Sequence, residues 1–305
     1  MEEYQGGDEM ISRGDNSIIL VRCRRWDEPA AIPVGGRGEK RGAEMNEVVQ
    51  VERNGGVATV RMNRPERLNA YNAEMGDALL SAALSVAADP SVRCIVLTGA
   101  GKAFSAGGDV EMMASIGGEG SGGFLDLTVR LHAFIATLRR APKPVVAAVN
   151  GVAAGAGFSF VLACDTAVAA SSARFTLGYQ NIGLSPDGGM TFFLARALGT
   201  QRAMEMTLFS KILSASLAAE WGLVHEVFPD AEFAARVDAL SSLLAAGPTL
   251  AYARAKELYN RALSQPLEAQ LEEERQNIAR SGATRDFREG TAAFLEKRPA
   301  RFEGR

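Results

Sequence analysis

One carboxylate stands alone in the run GLSPDGGMTFF at residues 183–193, and it is Asp187. Ser-Pro-Asp-Gly-Gly is turn vocabulary, in which aspartate is favoured because its side chain bonds nearby backbone. A carboxylate that removes a proton from carbon needs other surroundings, apolar groups that disfavour its charge and raise its pKa. On these residues alone the turn reading of Asp187 is favoured over the chemical one. Two glycine-rich stretches offer a second chemistry: FSAGGD, residues 104–109, after the apolar CIVLTG, and NGVAAGAG, residues 150–157, after PVVAA. Small residues let a ligand approach the backbone, and a helix beginning after the second stretch would leave free N–H groups. Two such donors converging on one oxygen would make an oxyanion hole; two tight corners of the chain would look the same in sequence.

Other motifs fail on inspection. GAGKAF at 99–104 is not a phosphate loop, because Val96 stands where the pattern needs glycine and Ala103 where it needs Ser or Thr. GAGFSF at 155–160 begins like a dinucleotide fingerprint but has Phe160 in place of the last glycine. Cys23, Cys94 and Cys164 form no CxxC, which argues against a disulfide framework or a zinc site and fits a reducing, cytoplasmic setting. His132 and His225 are too far apart in sequence to suggest a histidine-rich metal centre. The formal net charge of −3 gives no electrostatic case for nucleic acid or an anionic membrane.

The elements that must position these groups follow from patterning. The chain has 305 residues, 47% hydrophobic and 23% charged, enough for one large or two modest globular domains. Residues 1–44 mix Gly, Pro, Arg and Glu without sustained periodicity and read as a flexible extension; Met45, which opens the patterned region, is a candidate natural start. From Glu47 a hairpin turns at Asn54-Gly55, and NAEMGDALLSAALSVAADP has helical spacing that stops at Asp89-Pro90. Strands are expected in VRCIVLTG, PVVAAVN and TAVAA, and helices over 124–139, in AGFSFVLACD and from about Met190. The glycine run 117–123 reads as a loop. Residues 145–164 carry no charge and are long enough to span a bilayer, but Asn150-Gly151 breaks them into strand, turn and helix. Strands alternating with helices imply an α/β fold with largely parallel pairing, and beyond about Leu240 the chain turns helical.

KAFSAGGDVEMM, KPVVAAVNGVAAGAGFSFVLACD, IGLSPDGGMTFFLARALG, AMEMTLFSKILSASLAAEWGLVHEVFP and DFREGTAAFLEKRPARFEG together resemble the enoyl-CoA hydratase/isomerase (crotonase) superfamily, in order and over about residues 45–305. The resemblance implies a spiral of ββα units at 45–240 that binds coenzyme A and a helical segment at 241–305 that assembles trimers or hexamers. It implies an acyl-CoA thioester substrate whose carbonyl is polarised by the backbone N–H groups of Gly108 and Ala156, with no metal and no separate cofactor. At the positions of the two glutamates that serve the family's hydratases stand Ser159 and Tyr179. Neither has the acidity for paired carboxylate work at neutral pH, so standard hydratase chemistry is not expected.

The isomerase branch, including the phenylacetate-pathway isomerases, resembles the chain further, and there the acid at Asp187 is the single base that moves a proton along the acyl chain. Leu184, Phe192 and Phe158 are apolar candidates for raising its pKa. The 4-chlorobenzoyl-CoA dehalogenases suggest an alternative: Asp187 as nucleophile, His132 assisting hydrolysis, and Tyr179 at a position where that branch has tryptophan. His132 reads equally as a polar residue on an amphipathic helix, and His225 as a surface residue. A third alternative is a CoA-binding relative with little catalysis. Relatives that bind RNA do so through a lysine-rich helix, whereas the matching helix here, residues 72–90, has no Lys or Arg. For CoA, the resemblance points to Arg67 at the pyrophosphate, Leu68 and Ala70 along the pantetheine, and Ala106, Asp109 and Val110 around the adenine. Lys297 and Phe294 are expected to reach a neighbouring subunit's CoA phosphate and acyl pocket.

Overall fold

The computed structural model describes residues 44–45, 48–117 and 122–305. Most of the expected 1–44 extension and the centre of the 117–123 run lie outside the described residues. Strand β1 (Glu44–Met45) pairs with β2 (Val49–Asn54), which turns at Gly55 into antiparallel β3 (Val57–Met62). Helix α1 (Ala73–Ala88) starts where the Asn72 side chain accepts the Met75 N–H at 2.9 Å and ends at Asp89, before Pro90. It buries Met75, Leu79, Ala82, Ala83 and Val86, one face at helical spacing.

From there the chain repeats one unit. Strand β4 (Cys94–Gly99) joins a large sheet and β5 (Ala103–Ser105) a small one, followed by α2 (Val110–Ile116) and α3 (Gly122–Arg140). Next, β6 (Val145–Val149) joins the large sheet and β7 (Val152–Ala154) the small one, followed by α4 (Ala156–Ala163). Strands β8 (Thr166–Ala170) and β9 (Arg174–Thr176) repeat the step, and α5 (Met190–Phe209), kinked at Gly199, closes it. Then β10 (Leu213–Ser214) adds to the small sheet, α6 (Ala215–Glu220) follows, and β11 (Glu226–Phe228) ends the large one. The large sheet runs β1-β2-β3-β4-β6-β8-β11 and the small one β10-β9-β7-β5. From β3 onward the large sheet is parallel. This is the ββα spiral that the resemblance implied.

Every residue of β4 and β6 is buried, which explains their unbroken apolar sequences: a sheet covered on both faces has no polar side. On one face Ile95, Leu97, Val145 and Ala147 meet residues of α1, α3 and α4; on the other Cys94, Val96 and Val146 meet Val237 and Ala245 of α7 (Phe233–Ala246). The division drawn at 240 thus falls inside a helix that packs on the sheet. Among the described residues no helix is long and apolar enough to cross a membrane. The uncharged run 145–164 is β6, β7 and α4.

Helices α8 (Thr249–Ala262), α9 (Leu267–Gly282) and α10 (Arg285–Leu295) complete the chain. The buried Lys256 ties α8 to the core: its Nζ donates to Leu138 O and Asp165 Oδ2, each at 2.8 Å, and Asp165 Oδ2 also accepts the Val145 N–H at 2.8 Å. Burial holds the Lys256 ammonium below its ordinary pKa, and Asp165 opposes that shift. Lys256→Ala leaves the buried Leu138 carbonyl short of a donor, while Asp165, partly exposed, keeps Arg139 and the Val145 N–H, and the expected loss of unfolding free energy in urea is about 2 kcal/mol.

Candidate active site

The site is built where two neighbouring strands of the small sheet, β5 and β7, hand the chain on to the helices that follow. Gly107, after β5, has φ +98°, and Gly155, after β7, has φ +49°, conformations that side-chain-bearing residues rarely adopt. The two glycines lie against each other: a Cβ on Gly107 would stand 2.9 Å from Ala154 O and 3.4 Å from Gly155 Cα. That close approach brings together the residues that follow, Gly108 and Ala156. Ala156 is the first residue of α4, where an N–H has no intrahelical acceptor. Among the described residues neither the Gly108 nor the Ala156 N–H is engaged in a turn, loop or cap hydrogen bond.

Both residues line a cavity of about 390 Å³. Its walls are mostly apolar, with Met113, Phe124 and Leu131 among them, and its only carboxylate among the described residues is Asp187. Tyr71 and Tyr179 also line it. Tyr71 is fully buried, edge-on to Phe160 at 6.0 Å, with its hydroxyl donating to Leu127 O at 3.3 Å.

Asp187 sits in the turn before α5, as its sequence suggested, yet the turn is partly buried. The Tyr179 hydroxyl donates to Asp187 Oδ1 at 2.7 Å. Burial raises the Asp187 pKa above its ordinary value; the Tyr179 hydrogen bond and the nearby His132 pull it back only in part. The same burial, with the Asp187 charge beside it, raises the Tyr179 pKa and keeps the phenol a neutral donor. The Ser159 hydroxyl, 3.5 Å from that of Tyr179, donates to the Asp187 carbonyl at 3.0 Å. Turn and buried acid are therefore one structure.

Of the apolar residues expected around Asp187, only Leu184 lines the cavity. Phe192 does not: it is 49% exposed, with the Arg196 guanidinium 3.5 Å over its ring, because its place in the first turn of α5 points it to solvent. Phe158 is buried against Phe175 in the core, outside the cavity lining. His132 is exposed on α3 and does not line the cavity; its Nε2 accepts the Gly188 N–H at 3.3 Å. His225 is exposed beside β11.

The residues expected to meet CoA fall into two groups. Ala106 and Val110 line the cavity, and the Ala106 N–H donates to Leu68 O at 2.9 Å. Arg67 is exposed and pairs with Glu111 at 3.1 Å, while Leu68, at φ +51°, turns the chain beside it. Asp109 caps α2 and pairs with Arg64 at 3.1 Å; Arg64 also donates to Ala70 O at 2.6 Å. Both arginines tie this edge to α2, but only the Arg64 pair with Asp109 is shielded from solvent, whereas the Arg67 pair with Glu111 is exposed, and the sequence RPER gives no sign of that difference. Phe294 and Lys297 do not line the cavity. Phe294 lies in a separate groove with Phe287, Leu295 and Phe302, and Lys297 is exposed just beyond α10.

The family pattern described as enoyl-CoA hydratase/isomerase matches residues 52–305. A probable enoyl-CoA hydratase of Rhodobacter capsulatus is 43% identical over 84% of this chain and 98% of its own. The 1,2-epoxyphenylacetyl-CoA isomerase of Escherichia coli is 40% identical over 82% and 96%. The 4-chlorobenzoyl coenzyme A dehalogenase-2 of an Arthrobacter species is 39% identical over 82% and 91%. A crystal structure of an enoyl-CoA hydratase from Polaromonas superposes with TM-score 0.80 at 36% identity, covering 84% of this chain and 99% of the other. With sequence and fold in agreement over the whole spiral, the chain belongs to the enoyl-CoA hydratase/isomerase family.

Proposed function

We propose that this chain is an acyl-CoA isomerase that shifts a double bond, as from 3-enoyl- to 2-enoyl-CoA, with Asp187 as its single base. The observation that carries the reading is that Asp187 is the only carboxylate lining the cavity among the described residues, with one oxygen held by Tyr179. Hydration by the two-glutamate route lacks its residues, since Ser159 and Tyr179 stand at those positions and bond to Asp187 instead. One carboxylate suffices for isomerisation. It takes the C2 proton, the Gly108 and Ala156 N–H groups hold the dienolate oxygen, and the resulting acid delivers the proton to C4. Coenzyme A enters only as part of the thioester. Kinship with an enzyme named for isomerising an epoxyphenylacetyl thioester supports an isomerase and adds aromatic acyl groups to the candidate substrates. The exposed Tyr259, Leu263, Ile278 and Leu295 of the C-terminal helices support assembly into trimers or hexamers.

The relative named as a dehalogenase supports a second reading, with Asp187 as nucleophile and His132 as base. His132 outside the cavity lining, with Nε2 engaged by Gly188, weighs against it. Purified protein incubated with aliphatic and aromatic 3-enoyl-CoAs is expected to generate the absorbance of the conjugated thioester and to release no halide from 4-chlorobenzoyl-CoA. Halide release without conjugation favours the second reading, and neither product leaves a CoA-binding protein with little catalysis.

The base must be ionised, so kcat/KM is expected to fall toward acid through a pKa above the ordinary carboxylate range. Tyr179→Phe removes a hydrogen bond that favours the ionised form. Its acid limb is expected at higher pH than that of the wild type, as measured by the pH dependence of kcat/KM.

A further inference from the structure

The peptide unit that follows Asp187 is held at both polar ends by different helices. Its carbonyl, Asp187 O, accepts from the Ser159 hydroxyl of α4 at 3.0 Å, and its amide, Gly188 N–H, donates to His132 Nε2 of α3 at 3.3 Å. Because a peptide group is planar, fixing both ends fixes the plane and with it the direction in which Asp187 leaves the backbone. Gly188 has φ +60°, and without a side chain its backbone has alternatives to adopt if one tether is lost. A ring nitrogen that accepts carries no proton, so this hydrogen bond requires the His132 tautomer protonated at Nδ1.

We propose that His132 is a positioning residue for Asp187, acting through the Gly188 amide and not through substrate. It lies outside the cavity lining, so it touches no reacting atom, and its contribution is orientation of the base. The inference rests on the isomerase reading for its kinetic consequence but not for its structural one. It also gives Ser159 a purpose in the same clamp, at a position where the family's hydratases carry a carboxylate.

The test uses three variants of an exposed residue, so folding is retained in each. The amide oxygen of Gln reaches the place of a histidine Nε2, that of Asn only the place of Nδ1, and Leu offers no acceptor. His132→Gln is expected to keep wild-type kcat. His132→Leu and His132→Asn are expected to lose kcat by roughly 10- to 100-fold with KM within about twofold, the signature of a misplaced base. Hydrogen exchange over residues 184–192, followed by mass spectrometry, is expected to quicken in His132→Leu and His132→Asn but not in His132→Gln. Equal loss of kcat in Gln and Leu would assign the imidazole a proton-transfer role and overturn the proposal, as would unchanged kcat and exchange in His132→Leu. Should the wild type turn over no 3-enoyl-CoA, the isomerase reading fails while the exchange comparison still decides whether the clamp exists.

Discussion

Asp187→Asn is expected to lower kcat for 3-enoyl-CoA isomerisation by roughly 10²- to 10⁴-fold while leaving CoA affinity in place, the range for loss of a general base. Asparagine keeps the shape of the side chain and an oxygen that accepts from the Tyr179 hydroxyl, so the turn before α5 should not rearrange. What it loses is the ability to take a proton. The same substitution has a signed consequence for stability. Burial raises the folded-state pKa of Asp187 above its unfolded value. Between the two values the folded state holds the extra proton, so stability falls as pH rises through that window. At neutral pH the ionised carboxylate therefore destabilises the fold, and Asp187→Asn is expected to raise Tm there, with the gain shrinking in acid. A fall in Tm at neutral pH would mean that Asp187 is a structural turn residue whose carboxylate stabilises the chain.

Ala156→Pro is expected to cost roughly 10²- to 10³-fold in kcat, the usual effect of removing one oxyanion donor. A backbone donor cannot be deleted by truncating a side chain, but proline has no N–H. Ala156 is the first residue of α4, the position where proline is best tolerated and where the missing N–H breaks no helical bond. The proline ring carbon would stand where the amide hydrogen points, so the substrate oxygen loses both its donor and some of its room. Far-ultraviolet circular dichroism should remain that of the wild type. Ala156→Gly keeps the N–H and is expected to stay within about twofold of wild-type kcat, because a donor supplied by backbone is indifferent to a small side chain. If proline and glycine variants were equally active, Ala156 would not belong to the oxyanion hole.

The central strands of the large sheet were legible because they are buried on both faces. CIVLTG and VVAAV are uninterrupted apolar runs, and α1 carries its own boundaries in Asn72 and Asp89-Pro90. The small sheet was not. Strands β5, β7 and β9 have three residues each, too few for a period to show, and two of them sit next to the glycine stretches read as corners. From spacing those corners read equally as donors or as plain turns, and the sequence could not show that Gly107 and Gly155 lie against each other. The resemblance named Asp187, Ser159 and Tyr179, but not that the latter two hold the first, since the partners are 28 and 8 positions away along the chain. Phe192 illustrates the limit: it is close to Asp187 in sequence, and the helical phase of α5 turns it outward. Arg64 and Tyr71 escaped notice because nothing in their local sequence distinguishes an arginine that ties a loop to α2, or a tyrosine that walls a cavity, from any other.

The most direct test of the single-base account follows a label. A 3-enoyl-CoA deuterated at C2 is turned over once by excess enzyme in ordinary water, and the product is examined for deuterium at C4. If Asp187 removes and returns the same proton, a measurable fraction of the label reaches C4, and the transfer disappears in Asp187→Asn. Conjugated product with no deuterium at C4, formed equally well by Asp187→Asn, would contradict the account, because some other group would then be moving the proton.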